Sequence, residues 1–133
     1  MVDEQKTILV VEDELDTAEM FMEMLRLSGF QVFKCHGGEA AIELITSKEP
    51  DAVILDVMIP KVSGLDVLRF IRSNPQLKDT PVVVVSAKGT STDIKDGFEA
   101  GANVYLTKPV GYLDLMKAVE KVLQPQEGNI SKD

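Results

Sequence analysis

The stretch Pro81–Ser86, PVVVVS, sets four consecutive valines between a proline and a serine. Valine is stiff at χ1 and packs well on a pleated surface, so the run reads as a β-strand. Alternate side chains of a strand point to opposite faces, and here both sets are apolar. A strand written this way is buried on both sides, as in parallel sheets covered by helices above and below. Ser86 is the first polar side chain at its carboxyl end.

Working outward, Ala52–Leu55 (AVIL) and Thr7–Val11 (TILVV) upstream have the same character, and Gln31–Cys35 alternates more weakly. Downstream, Val104–Leu106 is a short fifth run. Helical patterns fill the intervals. Leu15 to Ser28 places Ala18, Phe21 and Leu25 on one face and stops at Gly29. Gly38 to Ser47 turns Ala41, Leu44 and Ile45 inward and is closed by Pro50. Gly64 to Ser73 does the same with Leu65, Leu68 and Ile71. Thr92 to Ala100 is expected to be capped from Ser91 and stopped by Gly101. Leu113 to Leu123 presents Leu115 or Met116, Val119 and Val122. The order (βα)5 predicts an α/β fold, a parallel sheet with helices on both faces. In such sheets ligands bind beyond the carboxyl ends of the strands.

The bulk properties narrow the function. A length of 133 residues suits one domain, expected over residues 1–124, with 125–133 as a polar tail and no output domain. The net charge of −8 repels nucleic acid and anionic membrane surfaces, so no direct DNA binding is expected. One cysteine allows no internal disulfide, and one cysteine with one histidine makes no zinc cluster. The apolar runs are strand-sized, so no membrane insertion is expected. The polar start, Met1 to Lys6, has no signal-peptide core, and a cytoplasmic location follows by default.

The strand ends carry the chemistry. Glu12, Asp13 and Glu14 follow the first strand, Asp56 the third, Ser86 the fourth, and Lys108 and Pro109 the fifth. Together they would bring carboxylates, a hydroxyl and an ammonium into one small pocket. Clustered carboxylates repel unless a cation is present. Without histidine or cysteine ligands that cation is hard and oxygen-loving, and the set suits Mg²⁺, with Mn²⁺ as a substitute, better than a caged Ca²⁺. The Ca²⁺ loop pattern D-x-[DN]-x-[DN]-G is absent. A carboxylate beside such a metal can attack phosphorus and form an aspartyl phosphate. Positive charge and donors must then face the equatorial oxygens, roles that suit the metal, Lys108 and Ser86.

The motifs VEDE (Val11–Glu14), LDVMIP (Leu55–Pro60), SGLDVL (Ser63–Leu68), VVSAKG (Val84–Gly89) and YLTKP (Tyr105–Pro109) appear in that order. Through them the chain resembles the response-regulator receiver family from about Thr7 to Leu123, in its stand-alone, single-domain form of the chemotaxis-receiver type. The resemblance implies a flavodoxin-like doubly wound (βα)5 sandwich with strand order 2-1-3-4-5. It implies Asp56 as phosphoryl acceptor, and Mg²⁺ held by Glu12, Asp13, Asp56 and the backbone carbonyl of Met58. It implies that Ser86 hydrogen-bonds the phosphoryl group, that Lys108 pairs with it across a cis Lys108–Pro109 peptide, and that Tyr105 changes rotamer on activation. The donor would be a histidine kinase or a histidine phosphotransfer domain. The target would be a protein docking around Thr92–Ala102, Val104–Leu106 and Leu113–Val122, on a monomer that catalyses only its own phosphorylation and dephosphorylation. Glu12 stands where the family often has Asp, and Ser86 where it often has Thr; both changes keep the chemistry.

Plainer roles compete. Acidic residues after a strand often serve only a helix N-terminus, and Glu14 is read that way. Ser86 could merely turn the chain, and Tyr105 could be a static half-buried side chain. His36 is read as a surface loop residue and Cys35 as a small buried hydrophobe. A flavin carrier would need a phosphate-cradling first loop, where Glu12 to Glu14 would repel phosphate. A dehalogenase-type phosphatase would want a second aspartate where Met58 stands. A phosphorylation-independent scaffold has no use for so costly a pocket.

Overall fold

The computed structural model describes residues 5–124. Ten elements alternate along the chain: β1 (Thr7–Val11), α1 (Leu15–Leu27), β2 (Gln31–Cys35), α2 (Gly38–Lys48), β3 (Ala52–Leu55), α3 (Gly64–Ser73), β4 (Val82–Ser86), α4 (Ser91–Ala100), β5 (Val104–Thr107) and α5 (Tyr112–Leu123). The five strands form one sheet in the order β2-β1-β3-β4-β5, and every pairing is parallel. This is the expected doubly wound arrangement. The expected tail, 125–133, lies outside the described residues.

The two-residue period of the strands divides the core into two layers. Leu9, Val11, Val53, Leu55, Val82 and Val84 face α2 and α3, against Ala41, Ile45, Val67, Leu68 and Ile71. Ile8, Val10, Ala52, Ile54, Val83 and Val85 face α1 and α5, against Phe21, Leu25, Leu115 and Val119. Helix α4 packs on α3 and β5. All four valines of β4 are buried, as the opening run implied. Each fully buried side chain of this size contributes roughly 1.5–3 kcal/mol, so the central strands are the most firmly held part of the sheet.

Three details differ from the sequence reading. Helix α4 is capped by Thr90, not Ser91: Thr90 accepts from the Asp93 amide, and the Asp93 carboxylate accepts from the Thr90 amide. Ser91 is the first helical residue, because only Thr90 has an acidic partner three residues on. On α3, Val67 is buried while Leu65 packs only partly. On α5, Leu115 and Met116 are both buried, because the helix lies deep against β3 and β4.

At the rim holding the amino end of β4, Arg72 joins three segments. Its guanidinium donates to the carbonyls of Gly101 (3.0 and 2.8 Å) and Thr80 (2.6 Å), and to Oδ1 of Asn103 (2.8 Å). Asn103 in turn accepts the Val82 amide at 2.8 Å. The amino ends of β4 and β5 are thus fixed from the side opposite the pocket described next.

Candidate functional site

At the carboxyl rim the sheet ladder runs one step past the strands. The Asp56 amide donates to the Val11 carbonyl at 3.0 Å, and the Glu12 amide donates to the Cys35 carbonyl at 3.0 Å. Asp56 and Glu12 therefore stand side by side at the ends of β3 and β1. The Lys108 amide donates to the Ser86 carbonyl at 2.9 Å, which ties the exit of β5 to β4. The Lys108–Pro109 peptide is cis. Gly64 lies hard against the Asp56–Val57 backbone, where a Cβ would collide with main-chain atoms, and its amide donates to the Val57 carbonyl at 3.0 Å. The SGLDVL motif thus brings the start of α3 close to the acceptor candidate.

Lys108 extends from β5 into the carboxylates. Its Nζ lies 2.9 Å from Oδ2 of Asp56 and 2.8 Å from Oε1 of Glu12. The other oxygen of Asp56, Oδ1, accepts the Met58 amide at 2.8 Å. Glu12 and Asp56 are buried, while Asp13 is exposed at the mouth. Burial pushes the Glu12 carboxyl above its usual range, and the neighbouring Asp56 charge adds to the effect. Burial alone would lower the Lys108 ammonium, but its bonds to Glu12 and Asp56 outweigh that and raise it. The two directions agree: the ammonium keeps its proton, and the excess negative charge is felt at Glu12.

The donor set fits a divalent ion. Glu12, Asp13 and Asp56 offer oxygens that all lie within 4.8 Å of one another. Against them stands one ammonium, so two negative charges remain uncompensated. Oε1 of Glu12 is buried, and the Lys108 ammonium, which it shares with Asp56, is the one group within reach among the described residues. One ammonium divided between two buried carboxylates compensates them only in part, and a hard dication would supply the rest.

Ser86 is fully buried, and its Oγ accepts the Lys88 amide at 3.2 Å. Tyr105, half-buried on the edge strand β5, donates its hydroxyl to the Lys88 carbonyl. Both expected switch residues thus hold Lys88 in the β4–α4 loop. Burial, with the field of Asp93, raises the Tyr105 phenol. The ring lies over α4 because Gly97 has no side chain: a Cβ there would sit 2.6 Å from Tyr105 Cδ2. Phe98 completes the cluster, its ring centroid 6.5 Å from that of Tyr105.

Two smaller expectations meet the structure differently. Cys35 is buried, and its thiol is pushed up to about 11 by burial, as suits an inert core residue. His36 is more than a surface loop residue: its Nδ1 lies 2.8 Å from the Glu12 carbonyl oxygen. No motif marks it; the only hint in the sequence is its place one residue past a strand that ends beside Glu12.

With fold and pocket in view, relatives give the class. Residues 8–120 match the response regulator receiver domain, and the chain belongs to this family of two-component signalling proteins. It is 37% identical over 117 residues to the response regulator MprA of Mycobacterium ulcerans, covering 88% of this chain and 50% of that protein. It is 36% identical to the transcriptional regulatory protein CpxR of Escherichia coli K12, covering 88% of this chain and 49% of that protein. Among solved structures, a response regulator from Chloroflexus aurantiacus superposes with a TM-score of 0.87 at 36% identity, covering 90% of this chain and 98% of that one. The receiver domain of a sensor histidine kinase from Pseudomonas aeruginosa PAO1 superposes with a TM-score of 0.84 at 26% identity, covering 90% and 98%. That structure has a magnesium ion coordinated in its active-site cleft.

The relatives correct the partner expectation. The sequence alone leads to the expectation of protein partners and no direct DNA binding. Yet CpxR, and PhoB of Pseudomonas aeruginosa, which is 32% identical over 119 residues, are transcriptional regulatory proteins. The chain spans about half the length of the curated relatives it matches. The reason for the error is physical: a net charge of −8 describes the electrostatics of these 133 residues alone and carries no information about what a receiver is coupled to. Among the described residues no helix is long and apolar enough to cross a membrane.

Proposed function

We propose that Asp56 accepts a phosphoryl group from a phosphohistidine donor, and that the modification is sensed through Ser86, Lys88 and Tyr105. The observation carrying this reading is the setting of the Asp56 carboxylate, between the Lys108 ammonium at 2.9 Å and the Met58 amide at 2.8 Å, with Glu12 and Asp13 alongside. An Asp56 oxygen attacks phosphorus, the new O–P bond forms as the donor's N–P bond breaks, and the imidazole leaves with its electron pair. Lys108 would neutralise charge on the transferring oxygens, and the Ser86 hydroxyl, at the end of the strand next to β3, would donate to one of them. Mg²⁺, held by Glu12, Asp13, Asp56 and the Met58 carbonyl, would supply the remaining positive charge.

The readout follows from the shared bonds at Lys88. If the Ser86 hydroxyl turns to a phosphoryl oxygen, the Lys88 amide loses its acceptor, and the loop that also holds the Tyr105 hydroxyl is free to move. A few charge-assisted bonds of about 1.5–3 kcal/mol each are enough to supply the roughly 5.5 kcal/mol that inverts a 1:99 equilibrium.

The test is incubation with acetyl phosphate, with and without MgCl₂, followed by intact-mass measurement. The wild type is expected to gain one phosphoryl group only with the metal, and Asp56→Asn none. Full labelling of Asp56→Asn would move the acceptor elsewhere.

A further inference from the structure

His36 is the chain's single histidine and lies outside every motif that led to the pocket. Its Nδ1 is 2.8 Å from the carbonyl oxygen of Glu12. A carbonyl only accepts, so Nδ1 carries the proton and the neutral ring is the Nδ1–H tautomer. The backbone explains why a side chain is needed there. Strands β1 and β2 pair in parallel with Val11 opposite Cys35, and the Glu12 amide donates to the Cys35 carbonyl. The next step of a parallel ladder would bring a β2 amide to the Glu12 carbonyl. But β2 ends at Cys35, and Gly37 already caps α2. The imidazole takes the place of the missing rung.

That oxygen belongs to the peptide joining Glu12 to Asp13. A peptide unit is planar, so holding its oxygen sets the tilt of the whole plane, and with it the direction in which Asp13 leaves the backbone. Asp13 is exposed, so the backbone before it is what sets its direction. We propose that His36 is a positioning residue for the divalent-ion pocket: by holding the Glu12–Asp13 peptide through Nδ1–H, it keeps both carboxylates in register with Asp56. The inference rests on the reading of the pocket as a metal site.

The discriminating variants follow from side-chain geometry. The amide nitrogen of asparagine falls close to the position of Nδ1, whereas that of glutamine falls near Nε2. Titration of the metal-free protein with MnCl₂ and with MgCl₂ by calorimetry is expected to give a wild-type Kd that His36→Asn keeps within about twofold. His36→Ala and His36→Gln are expected to bind roughly tenfold more weakly, as for other groups that orient metal ligands. A generalised loss of fold would not separate Asn from Gln. Long-range ¹H–¹⁵N spectra of the wild type are expected to show the proton on Nδ1 before any metal is added. Equal affinity in His36→Ala, an asparagine variant as weak as alanine, or a proton on Nε2 would each overturn the inference alone. A wild type that takes up neither ion would overturn the metal reading and this inference with it.

Discussion

Lys108 bridges to Glu12 as closely as to Asp56: its Nζ lies 2.8 Å from Oε1 of Glu12 and 2.9 Å from Oδ2 of Asp56. The ammonium therefore acts as the counter-charge for both buried carboxylates before any other cation arrives. A divalent ion entering this pocket would compete with the lysine for the same oxygens. Lys108→Ala is expected to bind Mg²⁺ roughly tenfold more tightly while accepting phosphoryl groups more slowly. Without metal it is expected to lose about 3 kcal/mol of stability, because two buried carboxylates lose their partner. Calorimetric titration, acetyl phosphate labelling and urea unfolding with and without MgCl₂ check the three parts.

Glu12 gives a pH dependence of definite sign. Burial and the Asp56 charge raise its folded value above the ordinary 4.5. The native state thus holds a proton that the unfolded state has released, and the stabilisation from that proton is present below 4.5 and fades as pH rises through the folded value. Glu12→Gln is expected to flatten this fall and to raise Tm at neutral pH in metal-free buffer. With saturating Mg²⁺ the order is expected to reverse, because the wild type then gains the binding energy that the variant lacks. Thermal melts from about pH 4 to about pH 8 test both halves.

The Cys35 thiol, pushed up to about 11 by burial, is expected to resist alkylation in the native protein near pH 8 and to react fully once unfolded. The sign at alkaline pH is also set. The unfolded thiol ionises near its ordinary 9.0 and the folded one about 11, so stability declines with rising pH between those values. Cys35→Ala is expected to remove that part of the slope, at a cost of about 1 kcal/mol for lost packing. Iodoacetamide labelling and unfolding curves on either side of pH 9.0 are the measurements.

Gly97 and Tyr105 form a testable pair. Alanine is worth up to about 1 kcal/mol more than glycine within a helix. Here its Cβ would lie 2.6 Å from Tyr105 Cδ2, so the clash outweighs the gain. Gly97→Ala is expected to destabilise the wild type by about 1–2 kcal/mol and to stabilise a Tyr105→Ala background. A double-mutant cycle in urea isolates the contact. Equal effects in the two backgrounds would mean that the ring is not held by this glycine.

The strands were legible because the sequence writes burial on both faces as unbroken apolar runs, clearest in Val82–Val85. The convergence of Glu12, Asp13, Asp56 and Lys108 was legible because parallel alternation brings all strand ends to one rim. The cap of α4 was not: Thr90, Ser91 and Thr92 are all able caps, and only the reciprocal bond to Asp93 selects the first. The share of Lys108 taken by Glu12 was also hidden, because it depends on where an ammonium settles between two acceptors. His36 could not be found from composition or motif, since its bond to the Glu12 carbonyl arises where the β1–β2 ladder stops.

At position 58 the main chain meets the Asp56 carboxylate, while the thioether side chain is 52% exposed. The amide would be present with almost any residue there, so the pocket's chemistry does not depend on methionine. What changes with the residue is the exposed surface two positions from Asp56. A bulkier, smaller or charged group at this point is expected to alter how readily water reaches the acid, while the Met58 amide, Lys108 and Glu12 stay where they are. Approach to the carboxylate is thereby separable from the backbone bond that orients it.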